Sequence, residues 1–258
     1  MQPEDTGEVT PAAEETPTLF RHVEEERVPF WGYTDLLLMI GLVSVSVLFI
    51  MTATSAWVYF HPSLKNDLTP LALPVQFVAY FFVYLCFCAV FKLKYDRGVF
   101  ESLGWRKTGS SLLAAGMGGV LLAFAISTVA VLIHTPKVDT AFEELVKTPL
   151  SMALLALTAI VVAPLFEEMV FRGFLQPLLS RTLGVALGVF VTALLFGGLH
   201  SSEYKGAWQY VAAITLVGIA LGVLRAKTNS IIPGTIMHGC FNAVSIVGLL
   251  ATKYIAHK

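Results

Sequence analysis

Seven long apolar stretches, separated by short polar segments, fill the sequence from about residue 35 onward. They lie near 35–60, 71–91, 111–133, 150–166 with a continuation beyond, 182–200, 207–224 and 231–251. Apolar runs of roughly 18–20 residues mark membrane helices. The runs lack the apolar/polar alternation of a transmembrane barrel. Their β-branched residues do not argue for strands, because lipid admits only helices or closed barrels. The pattern predicts an all-α fold, a polytopic transmembrane helix bundle of about seven to eight spans. The eighth candidate lies around 139–149, where Phe142, Leu145 and Val146 share a face and Glu143 and Glu144 suggest an interfacial helix.

Residues 1–29 break this pattern. They hold Pro3, Pro11, Pro17 and Pro29, acidic pairs and few large apolar residues. Such a segment cannot bury enough surface to fold alone. It also lacks the basic start and early apolar stretch of a secretory signal. Three regions result: a disordered acidic cytoplasmic tail over 1–29, N-terminal transmembrane helices over 30–149, and a polar-studded transmembrane core over 150–251.

Composition sharpens the class. Of 258 residues, 56% are hydrophobic and 14% charged, against about 25% charged in soluble domains. The net charge of -1, with no basic stretch, excludes a nucleic-acid partner. Three cysteines make no disulfide framework. Residues 1–35 hold 9 of the 18 acids and 2 of the 17 bases. With the N-terminus inside, 11 bases fall on the inner side, notably Lys92, Lys94, Arg97, Arg106 and Lys107, and 6 on the outer. The positive-inside rule therefore expects a cytoplasmic N-terminus.

Ionisable groups inside membrane spans are costly and are functional candidates by default. Three clusters stand out, all in the second half of the chain. The first is Glu167-Glu168-Met169-Val170-Phe171-Arg172. Glu168 and Arg172 are four apart, so they share a helix face and can pair. Glu167 is rotated about 100° from Glu168, which leaves it free to face a cavity. The second runs from Phe196 through Gly197 and Gly198 to His200, and the glycines permit close backbone approach. The third is His238 and Asn242, four apart and inside the last run, after Pro233-Gly234. Gly184/Gly188 and Gly218/Gly222 read as small-residue packing pairs. His61 and His134 read as interface residues, and Cys86, Cys88 and Cys240 as inert thiols.

A carboxylate, two imidazoles and a carboxamide suffice for hydrolysis by activated water. A glutamate with a raised pKa can take a proton from water. Imidazole or amide groups can stabilise the resulting oxyanion. Glu167, His200 and His238 can alternatively ligate a divalent metal such as zinc, with water in the fourth position. The residues alone do not choose between these. No His-Glu-x-x-His or Gly-x-Ser-x-Gly element is present, nor a phosphate-cradling loop.

Glu167-Glu168-x-x-x-Arg172, Phe196-x-x-x-His200 and His238-x-x-x-Asn242, in that order on apolar helices, resemble the motifs of the CPBP family. These are the CAAX-protease and bacteriocin-processing membrane proteins, also called Abi. The resemblance covers about residues 150–250 and implies an intramembrane endopeptidase similar to type II CAAX prenyl endopeptidases, often called metalloproteases. It implies Glu167 as the base that activates water and His200 as its assistant. His238 and Asn242 would stabilise the oxyanion, and Glu168 and Arg172 would support the site. The implied partners are the lipid bilayer and a membrane-embedded or lipidated substrate, such as a prenylated CAAX chain. Compactness points to a bacterial inner membrane, where prenylation is not required. Family relatives also suggest a non-proteolytic scaffold or bacteriocin immunity protein. A small transporter is the third reading, disfavoured because polar groups occupy only one half of the chain.

A plain up-and-down bundle would separate Glu167 from His200 in depth. The catalytic reading therefore requires one helix from about Leu150 past Glu167 to near Leu179, tilted or kinked at Pro164. Its length would bury Glu167 at mid-depth.

Overall fold

The computed structural model describes residues 29–136, 138 and 148–256, with side chains described as far as residue 251. Among these residues there are helices and turns and no strand. The long helices are α1 (Tyr33–Phe60), α2 (Thr69–Lys94), α3 (Leu112–Leu132), α4 (Pro149–Leu183), α5 (Val185–Leu199), α6 (Trp208–Thr228) and α7 (Ile232–Ala256). Six are long and apolar enough to cross a membrane, and α5 is a shorter apolar helix. The protein is a polytopic helical bundle, as the apolar pattern predicts.

Two helices depart from an even up-and-down ladder. α4 has 35 residues, about 52 Å at 1.5 Å per residue, well beyond a roughly 30 Å hydrocarbon core. It is the continuous helix that the site required, and it reaches past Leu179. α5 has 15 residues and starts at Val185, not near 182. The corner is Gly184, at φ 81, a left-handed conformation that favours glycine. Gly184 is therefore a turn residue and not half of a packing pair, while Gly188 of that pair packs against Ser180. The candidate interfacial helix near 139–149 lies outside the described residues except at its end, and so does the acidic tail except for Pro29.

Helix starts follow local chemistry. Thr148 Oγ1 accepts from the Ser151 N–H and Ser151 Oγ from the Thr148 N–H, both at 3.1 Å, with Pro149 next. This reciprocal cap satisfies orphan donors at the start of α4. Ser111 caps α3 through the Ala114 N–H. Asp35 accepts from the Gly32 N–H at 2.9 Å and also binds Lys94 and Tyr95. It thereby ties the start of α1 to the end of α2.

Packing builds from that end. Trp31 stacks on Phe174 of α4 and donates Nε1–H to the Phe174 carbonyl at 3.1 Å. Phe87 and Phe91 of α2 complete this buried aromatic cluster. α7 packs on α3 and against the middle of α4, and α5 on α6. Gly197 lies close to the Val211 carbonyl and Gly218 to Ala193, consistent with small residues at membrane helix contacts. Outward faces carry exposed Leu48, Phe49, Met51 and Val131, suited to lipid.

Replacing Asp35 with Ala should cost at least about 1 kcal/mol, a typical loss for a helix cap. Thermal unfolding in detergent should show a midpoint lowered by a few degrees, with Asp35→Asn recovering part of it.

Candidate active site

α4 widens twice, at Thr158–Val162 and Met169–Leu175, into π-helical turns. The Ala163 N–H donates to the Thr158 carbonyl, and the Gln176 N–H to the Phe171 carbonyl, each five residues back. The next residue in each case is a proline, Pro164 or Pro177. Proline has no N–H to continue the ladder. The carbonyls left without their π-register donors are Ala159 and Arg172. Asn242 Nδ2 of α7 donates to the Ala159 carbonyl at 2.8 Å. Arg225 Nε of α6 donates to the Arg172 carbonyl at 3.1 Å. Gly239 passes so near Ile160 that a Cβ there would meet its carbonyl oxygen at 2.5 Å. Prolines in membrane helices are tolerated when neighbours satisfy the freed groups in this way.

Between the two prolines lies the charged cluster. Glu168 and Arg172 are fully buried, and Arg172 Nη1 donates to Glu168 Oε1 at 2.8 Å. Arg172 Nη2 also donates to the Gly218 carbonyl. Glu167 is turned away, with 22% of its side chain exposed. The division expected from helical spacing is thus present. His238 stands between the carboxylates, Nε2 at 3.6 Å from Glu167 Oε2 and Nδ1 at 3.4 Å from Glu168 Oε1. Glu168 Oε2, Arg172 Nε and His238 Nδ1 are buried without a hydrogen-bond partner. Unsatisfied groups in such a concentration call for a reason, and a catalytic role is one.

Phe196 is the wedge that gathers these groups. Arg172 lies over its ring at 4.5 Å, a cation–π contact. His200 and His238 meet the same ring edge-on, at 4.8 and 5.7 Å between centroids. His200 Nδ1 lies 2.8 Å from the Phe196 carbonyl. A carbonyl only accepts, so Nδ1 is the donor here, and in the neutral ring this leaves Nε2 as the acceptor.

Glu167, His200, His238 and Asn242 line one cavity of about 340 Å³. Glu168 and Arg172 lie behind its wall. Leu155, Ile214 and Leu249 form an apolar side. The cavity also takes Gln76 from α2 and Glu203 and Tyr204 from the α5–α6 loop, none of which the sequence singled out. Gln76 donates to the Tyr80 hydroxyl at 3.0 Å, and Tyr80 stacks on Phe166. The available signal for Gln76 was a carboxamide in the apolar run of α2. Burial raises the Glu203 carboxyl above its ordinary range; His200 opposes that and the Glu167 charge adds to it. Arg225, in the last turn of α6, is buried against α4.

Zinc-type ligation was the open alternative. Among the described residues, no three His, Cys, Asp or Glu side chains converge as a metal-holding group. Glu167 and His238 approach each other, but this donor set does not complete a three-ligand site among the described residues.

Residues 148–244 match the family model described as Rce1-like, type II CAAX prenyl endopeptidase Rce1-like. The match supports the resemblance read from the three motifs, over a stretch that runs from the start of α4 into α7. That stretch contains all three motifs and every residue they single out, while the match covers less than half of the chain. No curated protein and no solved structure matches. At the level of the family, the match supports a protease, and the six membrane-length helices among the described residues support an integral membrane protein.

Removing the Asn242 amide leaves the Ala159 carbonyl without its donor, at a cost of about 1–3 kcal/mol. Asn242→Ala should lower the thermal midpoint in detergent. Pro164→Ala in the Asn242→Ala background returns a backbone N–H and should recover part of that loss. Two purely additive losses would contradict the assignment.

Proposed function

We propose that the cavity is the active site of an intramembrane endopeptidase, in which Glu167 activates water against a peptide bond of a membrane-associated substrate. The observation that carries this reading is the unequal fate of two adjacent carboxylates. Glu168 is buried and paired with Arg172, while Glu167 opens onto a cavity with two imidazoles and a carboxamide.

Glu167 takes a proton from a cavity water as its oxygen bonds to the scissile carbonyl carbon. His200 Nε2 accepts a hydrogen bond from the same water and orients it. The carbonyl oxygen becomes an oxyanion, for which His238 supplies a donor. Asn242 spends one N–H on the Ala159 carbonyl and has a second for the oxyanion. The C–N bond then breaks, and Glu167 passes its proton to the leaving amine. General-base help contributes about 10²–10⁴-fold, and each oxyanion donor about 10²–10³-fold. The pair of Glu168 and Arg172 holds His238 and Phe196 in place. The positive-inside bias favours a cytoplasmic N-terminal end, in a bacterial inner membrane.

The test is cleavage of a membrane-anchored peptide by the reconstituted full chain. Glu167→Gln and His200→Ala should each lose at least about 100-fold in rate, with folding intact by thermal melt. Phe196→Ala should be only partly impaired. Equal processing by the wild type and Glu167→Gln removes Glu167 as the base.

A further inference from the structure

Every described lining residue of the cavity comes from α4 to α7 or the loop between α5 and α6, except Gln76 of α2. Gln76 therefore enters from outside residues 148–244, the stretch that matches the family model. A carboxamide on an apolar membrane helix is costly unless it meets polar partners. Gln76 is nonetheless exposed at the cavity.

Its position is fixed from both sides. Leu73, Gln76 and Tyr80 are three and four apart, so they share one face of α2. Leu73 is buried in a small apolar cluster with Leu155 of α4 and Leu249 of α7. Tyr80 stacks on Phe166 of α4 at 4.9 Å between centroids. These contacts seat that face of α2 against α4. Gln76 Nε2 donates to the Tyr80 hydroxyl at 3.0 Å, which anchors the end of the side chain. A carboxamide has two N–H donors and one acceptor oxygen. One N–H is spent on Tyr80. Among the described residues, the second N–H and Oε1 have no partner.

A peptide whose backbone enters the cavity leaves water or its own helical hydrogen bonds behind. The amides beside its scissile bond then need new partners. In the endopeptidase reading, Glu167, His200, His238 and Asn242 serve the reacting water and carbonyl. Thr158 spends its hydroxyl proton on the Leu154 carbonyl. Gln76 keeps one donor and one acceptor, the complement of a peptide C=O and N–H.

We propose that Gln76 is a substrate-binding residue whose carboxamide pairs with a backbone amide of the peptide beside the scissile bond. This rests on the endopeptidase reading above and adds a substrate contact from outside the three motifs. Gln76 takes no part in the steps assigned to Glu167, His200 and His238.

The experiment uses the full chain in lipid nanodiscs and a lipid-anchored peptide that binds the Glu167→Gln protein. Ester oxygens replace the peptide's backbone N–H groups one at a time, the scissile amide excepted. Cleavage is measured with the wild type and with Gln76→Met, which has nearly the same length and no polar atom to pair. Binding is measured with Glu167→Gln and with Glu167→Gln/Gln76→Met.

Gln76→Met should raise KM about fivefold, the worth of a neutral hydrogen bond, and change kcat less. One ester position should weaken binding to Glu167→Gln by about fivefold and make no difference once Gln76 is Met. A peptide set in which no ester weakens binding overturns the assignment without relying on any Gln76 variant. Ester and Gln76→Met losses that simply add at every position also overturn it. If the wild type cleaves the peptide in either of those cases, the protease reading stands and only the Gln76 contact falls. Coupling between Gln76 and one ester, in a protein that cleaves no peptide, removes the protease reading and leaves the contact standing.

Discussion

Two prolines inside one membrane helix remove two backbone donors in a medium that has none to offer. An unsatisfied carbonyl in hydrocarbon costs several kcal/mol, so α4 can hold Pro164 and Pro177 only if other helices supply the missing N–H groups. α7 supplies one through Asn242 and α6 the other through Arg225. The two repairs bring α6 and α7 to α4 on either side of Glu167, Glu168 and Arg172. His238 stands one turn before Asn242 on α7, so fixing Asn242 also fixes His238 beside both carboxylates.

A second constraint is charge. Two adjacent carboxylates at the middle of the 35-residue α4 cannot both stay solvated. Helical rotation assigns one to Arg172 and the buried side, and the other to the cavity. Arg172 then reaches Phe196, whose ring also positions both imidazoles. Phe196 therefore links the ion pair to the cavity, and this gives the Phe-x-x-x-His spacing a physical reason.

Much of this was legible in the sequence. Apolar runs placed the helices within a few residues, and four-residue spacing paired Glu168 with Arg172. The need to bring Glu167 to the depth of His200 required the long α4, which the structure contains. The missed features all depend on tertiary approach. Arg225 reads as a loop charge at a helix end, and only the turn before Pro177 explains its burial. The corner at Gly184, which shortens α5, looks like packing because small-residue spacing and a chain break use the same residue type. Gln76 and Glu203 join the site from a different helix and a loop, and local periodicity carries no information about either.

The central claim is that a water held at Glu167 attacks a peptide bond inside the cavity. The most direct test is an experimental structure of the Glu167→Gln protein with an uncleaved peptide bound. The account predicts a scissile carbonyl carbon about 3–3.5 Å from a water lying between residue 167 and His200 Nε2, with the carbonyl oxygen toward His238. A peptide bound outside the cavity, or one whose carbonyl faces away from both imidazoles, would contradict it.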